Sequence, residues 1–411
     1  MKRLILFVVV MGAVVAAVAV RLVDVQVVNT DRYVAYGESQ RDGFRVLPAS
    51  RGAIYDRNGQ AFAMTVAQPM VVADPTQVEH PIATSRALAG ILGLDATEIE
   101  ADLRADSHYR VIAKSVSQQD AKAIKEALGD GDLVGISLED EYERSTPSDD
   151  LAIGVIGHAL PEGQKAQDGS TGGVSGLESE FNDELQGKPG KLYYEQDVWG
   201  KPIAGGDRKL DKAVQGTDLY LTLDQALQYE AEQAMKDQVA ATGAQSGQAV
   251  IMRPSTGEIL AMASVARDDD GKVVNTGDNR SVTSVFEPGS VNKMITVAGA
   301  IEEGIVTPDT VLNVPDHLQI ADRPFSDSHP HPVSDWSVTD IIATSSNIGT
   351  IKIAQQLGKD GVDAYLRDFG FGTKPGLGFP GETAGIMKDV DEWSGVDIGT
   401  ICGTTGSWRN V

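Results

Sequence analysis

Residues 4–20, LILFVVVMGAVVAAVAV, contain no charged or polar side chain. At a rise of ~1.5 Å per residue such a run just reaches across a bilayer core as a helix, provided its apolar register continues past Arg21 to Leu22 and Val23. Lys2 and Arg3 precede it. This charge bias keeps a short tail, residues 1–3, in the cytoplasm and sends the chain beyond the span, residues 4–23, to the other side. A cleaved signal peptide is the alternative, because Ala17-Val18-Ala19 has the small-x-small pattern of a cleavage site. The length of the run, continued as RLVDVQVV, favours a single-pass anchor in the cell membrane. On either reading the bulk of the chain is extracytoplasmic. ATP-driven chemistry is then out of place, and none of the Gly-Lys pairs at Gly187, Gly190, Gly200, Gly271 and Gly358 is followed by the Ser or Thr of a P-loop.

The 411 residues are 41% hydrophobic, enough for two or three packed domains, and carry a net charge of −24. With no cluster of Lys and Arg, the phosphate attraction that drives nucleic-acid binding is missing, so no nucleic-acid partner is expected. The single cysteine, Cys402, excludes an intrachain disulfide and a Cys-Cys zinc site. His329 and His331 in DSHPHP are a metal pair only if a third ligand joins them, and a Pro-rich surface loop is the plainer reading. His80, His108, His158 and His317 have no partner signature, and no carboxylate pair is marked locally, so neither metal nor cofactor is expected.

From Arg51, RGAIYDRNGQAFAMTVAQPMVVADP reads as two strands around an Asp56-Arg57-Asn58-Gly59 turn. Helical spacing in TSRALAGILGL, DATEIEADL and SQQDAKAIKEAL alternates with strand-like YRVIAKSV and LVGISLED, an elongated α+β pedestal module over residues 24–210. GVSGLESEFNDELQGKPG places Leu177, Phe181 and Leu185 four apart on one helix face. KPIAGGDRKLDKAVQGTD is polar and lacks periodicity, so the main boundary is placed at residues 201–217. Beyond it come a strand, an amphipathic helix on Leu227, Ala231 and Met235, and a hairpin around Pro254-Ser255-Thr256-Gly257. The expected fold is α+β, with helices on an antiparallel sheet in the second domain, residues 211–411.

Candidate chemistry sits in FEPGSVNKMITVAGAIEEG. Serine is a poor nucleophile until a base takes its proton, and a lysine does so only when burial or neighbouring positive charge lowers its pKa. Met294, Ile295, Val297, Ala298, Ala300 and Ile301 surround the helix with apolar surface and supply that burial. Lys293 lies one turn from Ser290 on the same face, and Pro288-Gly289 sets the helix start at Ser290, where a developing oxyanion meets the positive end of the dipole. Equally, serine at a helix start is commonly a cap, and Ser-x-x-Lys spacing arises by chance. A second piece is SDWSVTDIIATSSNIGTIKIAQQLG, where Ser337 with Asp340 caps a short helix, Gly358 closes another, and Ser345-Ser346-Asn347 falls between them. A hydroxyl and an amide on that connection suit proton relay and a grip on a peptide group; Ser and Asn are also ordinary connector residues.

Six segments in order, RGAIYDRNG, GVSGLESEFNDELQG, GQAVIMRPSTGEILAMAS, NRSVTSVFEPGSVNK, TSSNIGTIKIAQQLG and FGFGTKPGLGFPGE, resemble the class B penicillin-binding proteins, most of all the septal cell-division transpeptidase of actinobacterial type. The resemblance implies a peptidoglycan D,D-transpeptidase that cross-links stem peptides, is acylated by β-lactams and meets other membrane proteins at the division site. It makes Ser290 the nucleophile, Lys293 the base for acylation, Ser345 the proton-relaying hydroxyl and Asn347 the amide that holds substrate. The family's third motif, Lys-Thr-Gly, is not found; Thr404-Thr405-Gly406 is the nearest string and lacks the cation. The expectation is therefore a penicillin-binding domain cut before that motif by a frameshift, early stop or miscalled end. Its C-terminal half would fold poorly, and losing one oxyanion donor costs on the order of 10²–10³ in rate. An inactive chain that acts only as an interaction module of the division complex is the alternative. A β-lactamase or β-lactam sensor would share the Ser-x-x-Lys pair but has no need of the pedestal.

Overall fold

The computed structural model describes residues 2–30, 41–161, 164–166, 171–197, 203 and 205–401. The apolar run forms helix α1, Lys2–Val23, extended by a π-helical turn over Asp24–Val28, and Ile5–Val28 is long and apolar enough to cross a membrane. The residues fall into two compact units: Met1–Asp150, Ala159–Val174 and Phe181–Gln225 form the first, and Leu151–His158, Ser175–Glu180 and Ala226–Val411 form the second.

In the first unit, β1 (Asp42–Leu47), β6 (Gly190–Glu195) and β7 (Arg208–Asp211) make one antiparallel sheet in the order β1-β6-β7. A second sheet runs β4-β3-β2-β8 through β4 (Arg110–Ala113), β3 (Ala61–Ala73), β2 (Ile54–Tyr55) and β8 (Leu219–Tyr220), with β5 (Ile136–Ser145) also paired to β3. The turn between β2 and β3 is tied by the fully buried Asp56, whose carboxylate accepts from the backbone N–H groups of Asn58, Gln60 and Gln225. Three helices cover the sheet: α2 (Pro81–Leu92), α3 (Ala96–Leu103) and α4 (Gln118–Gly129) bury Leu88, Ile99, Leu103 and Ile124 against Val71 and Ile136. Asp95 and Ser117 accept the N-terminal N–H groups of α3 and α4, the caps that stop orphan donors from fraying a helix.

Two expectations need correction. The polar stretch in which the main boundary was placed contains β7, whose four residues are all exposed, so no face alternates in hydrophobicity and no periodicity betrays a strand. The helix expected through Leu177, Phe181 and Leu185 breaks at Phe181 (φ −101°, ψ 30°) into Gly176–Glu180 and Asn182–Leu185, although Leu177 and Leu185 are both buried.

In the second unit, helix α5 (Gln225–Thr242) lays Leu227, Ala231 and Met235 on an antiparallel sheet of β9 (Ser246–Met252), β10 (Ile259–Arg267) and β11 (Val273–Asn275), against Ala261 and Ala263. Small residues on the strand let the helix approach closely, and the buried Gln228 side chain pairs with both backbone groups of Met262. Glu232, also buried, accepts from the Ala152 N–H, Gln228 Nε2 and Asn275 Nδ2, and burial pushes its carboxyl pKa up. Helix α6 (Lys293–Glu302) packs on α8 (Asn347–Asp368), which is interrupted at Gly358 (φ 79°). Around them lie β12 (Val311–Val314) with β15 (Ser334–Ser337), β13 (His317–Ile320) with β14 (Arg323–Ser326), and α7 (Val338–Ala343), closing a core that includes Ile295, Ala300, Val314, Phe325, Ile341, Ile348 and Ile351.

Candidate active site

Pro288 leads into a 3-10 turn over Gly289–Asn292, and the α-helix proper begins at Lys293 rather than at Ser290. Residues i and i+3 eclipse in a 3-10 turn, which stacks Ser290 and Lys293 on one edge of it. Their environments differ. Ser290 is exposed and its hydroxyl makes no side-chain hydrogen bond among the described residues, whereas Lys293 is 2% exposed. The apolar wrapping inferred around this helix is one-sided. Ile295, Val297 and Ala300 are buried, but Met294 is 59% and Ile301 41% exposed, so the helix is amphipathic and Lys293 lies on its buried face.

A buried amino group needs hydrogen-bond partners, and the second motif supplies them. Lys293 Nζ donates to the Ser345 carbonyl (2.5 Å), Ser345 Oγ (3.1 Å) and Asn347 Oδ1 (2.7 Å). Ser345 reaches this position in the left-handed region (φ 54°), a conformation that side chains other than glycine seldom adopt and that clusters at functional sites. The turn separates α7, opened by the Ser337–Asp340 capping box, from α8, whose N-cap Ser346 accepts from the Gly349 N–H. Asn347 is fixed at both ends, because its Nδ2 donates to the Ser326 carbonyl. Of the four residues singled out in the sequence, Lys293, Ser345 and Asn347 form one hydrogen-bonded cluster and Ser290 stands on the adjoining turn.

One residue of this neighbourhood had no signal. Asp327, 6% exposed at its side chain, accepts from Ser346 Oγ (2.7 Å) and the Ile348 N–H (2.9 Å), with His331 Nε2 at 3.0 Å. Both ring nitrogens of His331 face oxygen acceptors, Asp327 Oδ2 and the Pro332 carbonyl (2.8 Å), and only the imidazolium donates to both. The Asp327 hydrogen bond accordingly raises the His331 pKa above its ordinary value, and the ring lies 4.4 Å from that of Trp336. DSHPHP thus places its His on a carboxylate, and no group of three His, Cys, Asp or Glu suited to a metal occurs among the described residues. Cys402 and Thr404-Thr405-Gly406 lie outside the described residues.

A Ser-x-x-Lys turn whose buried lysine is held by a Ser-x-Asn turn on an α+β unit fits a motif pair known from penicillin-binding proteins and β-lactamases. Residues 247–406 match the penicillin binding protein transpeptidase domain and residues 46–221 the penicillin-binding protein dimerisation domain. The chain is 30% identical to penicillin-binding protein PbpB of Mycolicibacterium smegmatis over 95% of its own length and 63% of the relative's. It is also 30% identical to peptidoglycan D,D-transpeptidase FtsI of Escherichia coli, over 93% of its own length and 64% of that protein. Penicillin binding protein 3 of Mycobacterium tuberculosis, solved with aztreonam, superposes with a TM-score of 0.59 at 26% identity, covering 88% of this chain and 61% of the other. The chain therefore belongs to the class B penicillin-binding proteins, and it spans a little under two thirds of the length of these relatives.

Proposed function

We propose that the chain carries the anchor, the pedestal and the nucleophile-bearing wall of a peptidoglycan D,D-transpeptidase acting in septal cell-wall synthesis. The domains would be a cytoplasmic tail at 1–3, a membrane span at 4–23, a pedestal at 24–210 and penicillin-binding sequence at 211–411. The bulk would be extracytoplasmic, with stem peptides as substrate, β-lactams as acylating inhibitors and membrane proteins of the division site as partners. The carrying observation is the cluster in which Lys293 Nζ contacts Ser345 Oγ at 3.1 Å and Asn347 Oδ1 at 2.7 Å.

In this reading Lys293 takes the proton of Ser290 as its Oγ attacks the carbonyl of the penultimate D-Ala, and an ester forms. Ser345 Oγ passes that proton to the leaving D-Ala amine, and Asn347 holds the donor peptide. An amine of a neighbouring stem then displaces Ser290 and completes the cross-link. The second reading is an interaction module without catalysis, which needs only the apolar N-terminal helix and the dimerisation-domain sequence. Fluorescent penicillin separates the two: a covalent label that disappears in Ser290→Ala supports acylation, while an unlabelled chain that still localises to the septum supports the module.

A further inference from the structure

We propose that Asp327 is a positioning residue whose carboxylate holds the Ser345-Ser346-Asn347 turn in the conformation that presents Ser345 and Asn347 together to Lys293. The proposal rests on the functional reading above for its consequence in acylation, and on geometry alone for its structural half. The turn carries a cost that something must offset, since Ser345 sits at φ 54°, disfavoured for a residue with a Cβ. Its own helix cap does not suffice: Ser346 Oγ accepts from the Gly349 N–H but leaves the rotation of the preceding residue open.

The missing restraint comes from the end of β14. Asp327 accepts from the Ser346 hydroxyl on Oδ2 and from the Ile348 N–H on Oδ1, gripping the turn through a side chain and a backbone group two residues apart. Next to it the Ser326 carbonyl takes Asn347 Nδ2, which leaves Oδ1 as the only end of that amide able to face Lys293. Asp327 is itself anchored, by its N–H to the Asp316 carbonyl (3.0 Å) and by His331 Nε2, whose ring is packed against Trp336. A carboxylate suits the place because it faces three donors and must accept from all of them; an amide of the same size turns one of those contacts into donor against donor.

The test uses the full chain. Wild type and Asp327→Asn are reductively methylated under native conditions and followed peptide by peptide by mass spectrometry, with the exposed Lys359 on α8 as internal control. The expected result is at least tenfold faster modification of Lys293 in the variant, with Lys359 unchanged and a cooperative melt retained. Equal protection of Lys293 in a folded Asp327→Asn overturns the proposal. If that variant does not melt cooperatively, Ser346→Ala removes the side-chain half of the grip together with the α8 N-cap and carries the same expectation, and a folded Ser346→Ala with Lys293 still protected overturns it. In parallel, the rate of fluorescent-penicillin labelling should fall at least tenfold in Asp327→Asn, and an unchanged rate also overturns the proposal. A wild-type chain that takes no label defeats the acylation reading, and the methylation comparison then decides on Asp327 by itself.

Discussion

At the level of single residues, His331 ties chemistry to pH. Its folded pKa lies above the unperturbed 6.5, first because Asp327 accepts its Nε2–H, with burial acting in the opposite direction and the charge of Asp316 adding to the rise. A group whose pKa is raised on folding contributes stability that is complete below its unfolded pKa and is lost as pH climbs through the folded one. The Tm difference between wild type and His331→Gln should thus be largest below about pH 6.5 and shrink above it. An NMR titration of the His331 ring that gives a midpoint at or below 6.5 would contradict this, and Asp327→Asn should bring the midpoint down. Ser345 offers a second check. Glycine tolerates φ 54° and alanine does not, so Ser345→Gly should be more stable than Ser345→Ala by about 1 kcal/mol in denaturant melts, the reverse of their order within a helix. Neither residue's conformation was legible in the sequence. Ser345-Ser346-Asn347 could be placed between two helices from caps and Gly358, but a positive φ at a serine leaves no trace in composition or spacing.

Elements were easier to read where burial imposes a period. Helices α3 and α4 of the first unit begin after Asp95 and Ser117, where a capping side chain meets an apolar repeat, and the β9–β10 hairpin turns at Gly257 (φ 76°). The all-exposed β7 was missed because nothing about it is half-buried, and the α6 wrapping was overestimated because apolar residues also occupy a helix's open side. The contact between α6 and α8 is equally invisible in one dimension. A Cβ built on Gly299 would lie 2.6–3.0 Å from ring atoms of Tyr365, whose hydroxyl donates to Glu303 and so holds the ring in place. Gly299→Ala should cost about 1–3 kcal/mol by overpacking, read from urea melts, and Gly299→Ala with Tyr365→Ala should recover part of it. A Gly299→Ala chain as stable as wild type would mean that the two helices part without penalty.

For the molecule as a whole, the sequence-derived boundary is a single cut, whereas residues 151–158 and 175–180 belong to the second unit. Such interleaving cannot be read from composition, because a segment's hydrophobicity says that it is buried and not where. Glu232 is the test point. Truncation to Ala leaves the Ala152 N–H without its acceptor and should cost about 1–3 kcal/mol, while Glu232→Gln keeps an acceptor there, drops the charge that burial disfavours, and should cost markedly less. Equal losses in calorimetry for Gln and Ala would show that the charge, not the hydrogen bond, matters. Because Ala152 and Glu232 are 80 positions apart, the order of synthesis matters as well. A chain synthesised from its N-terminus delivers 151–158 well before α5 exists to receive it. That short apolar piece, LAIGVIGH, must wait unpaired while its neighbours in sequence are already folding, so the interval before α5 emerges is when this chain is most open to misfolding.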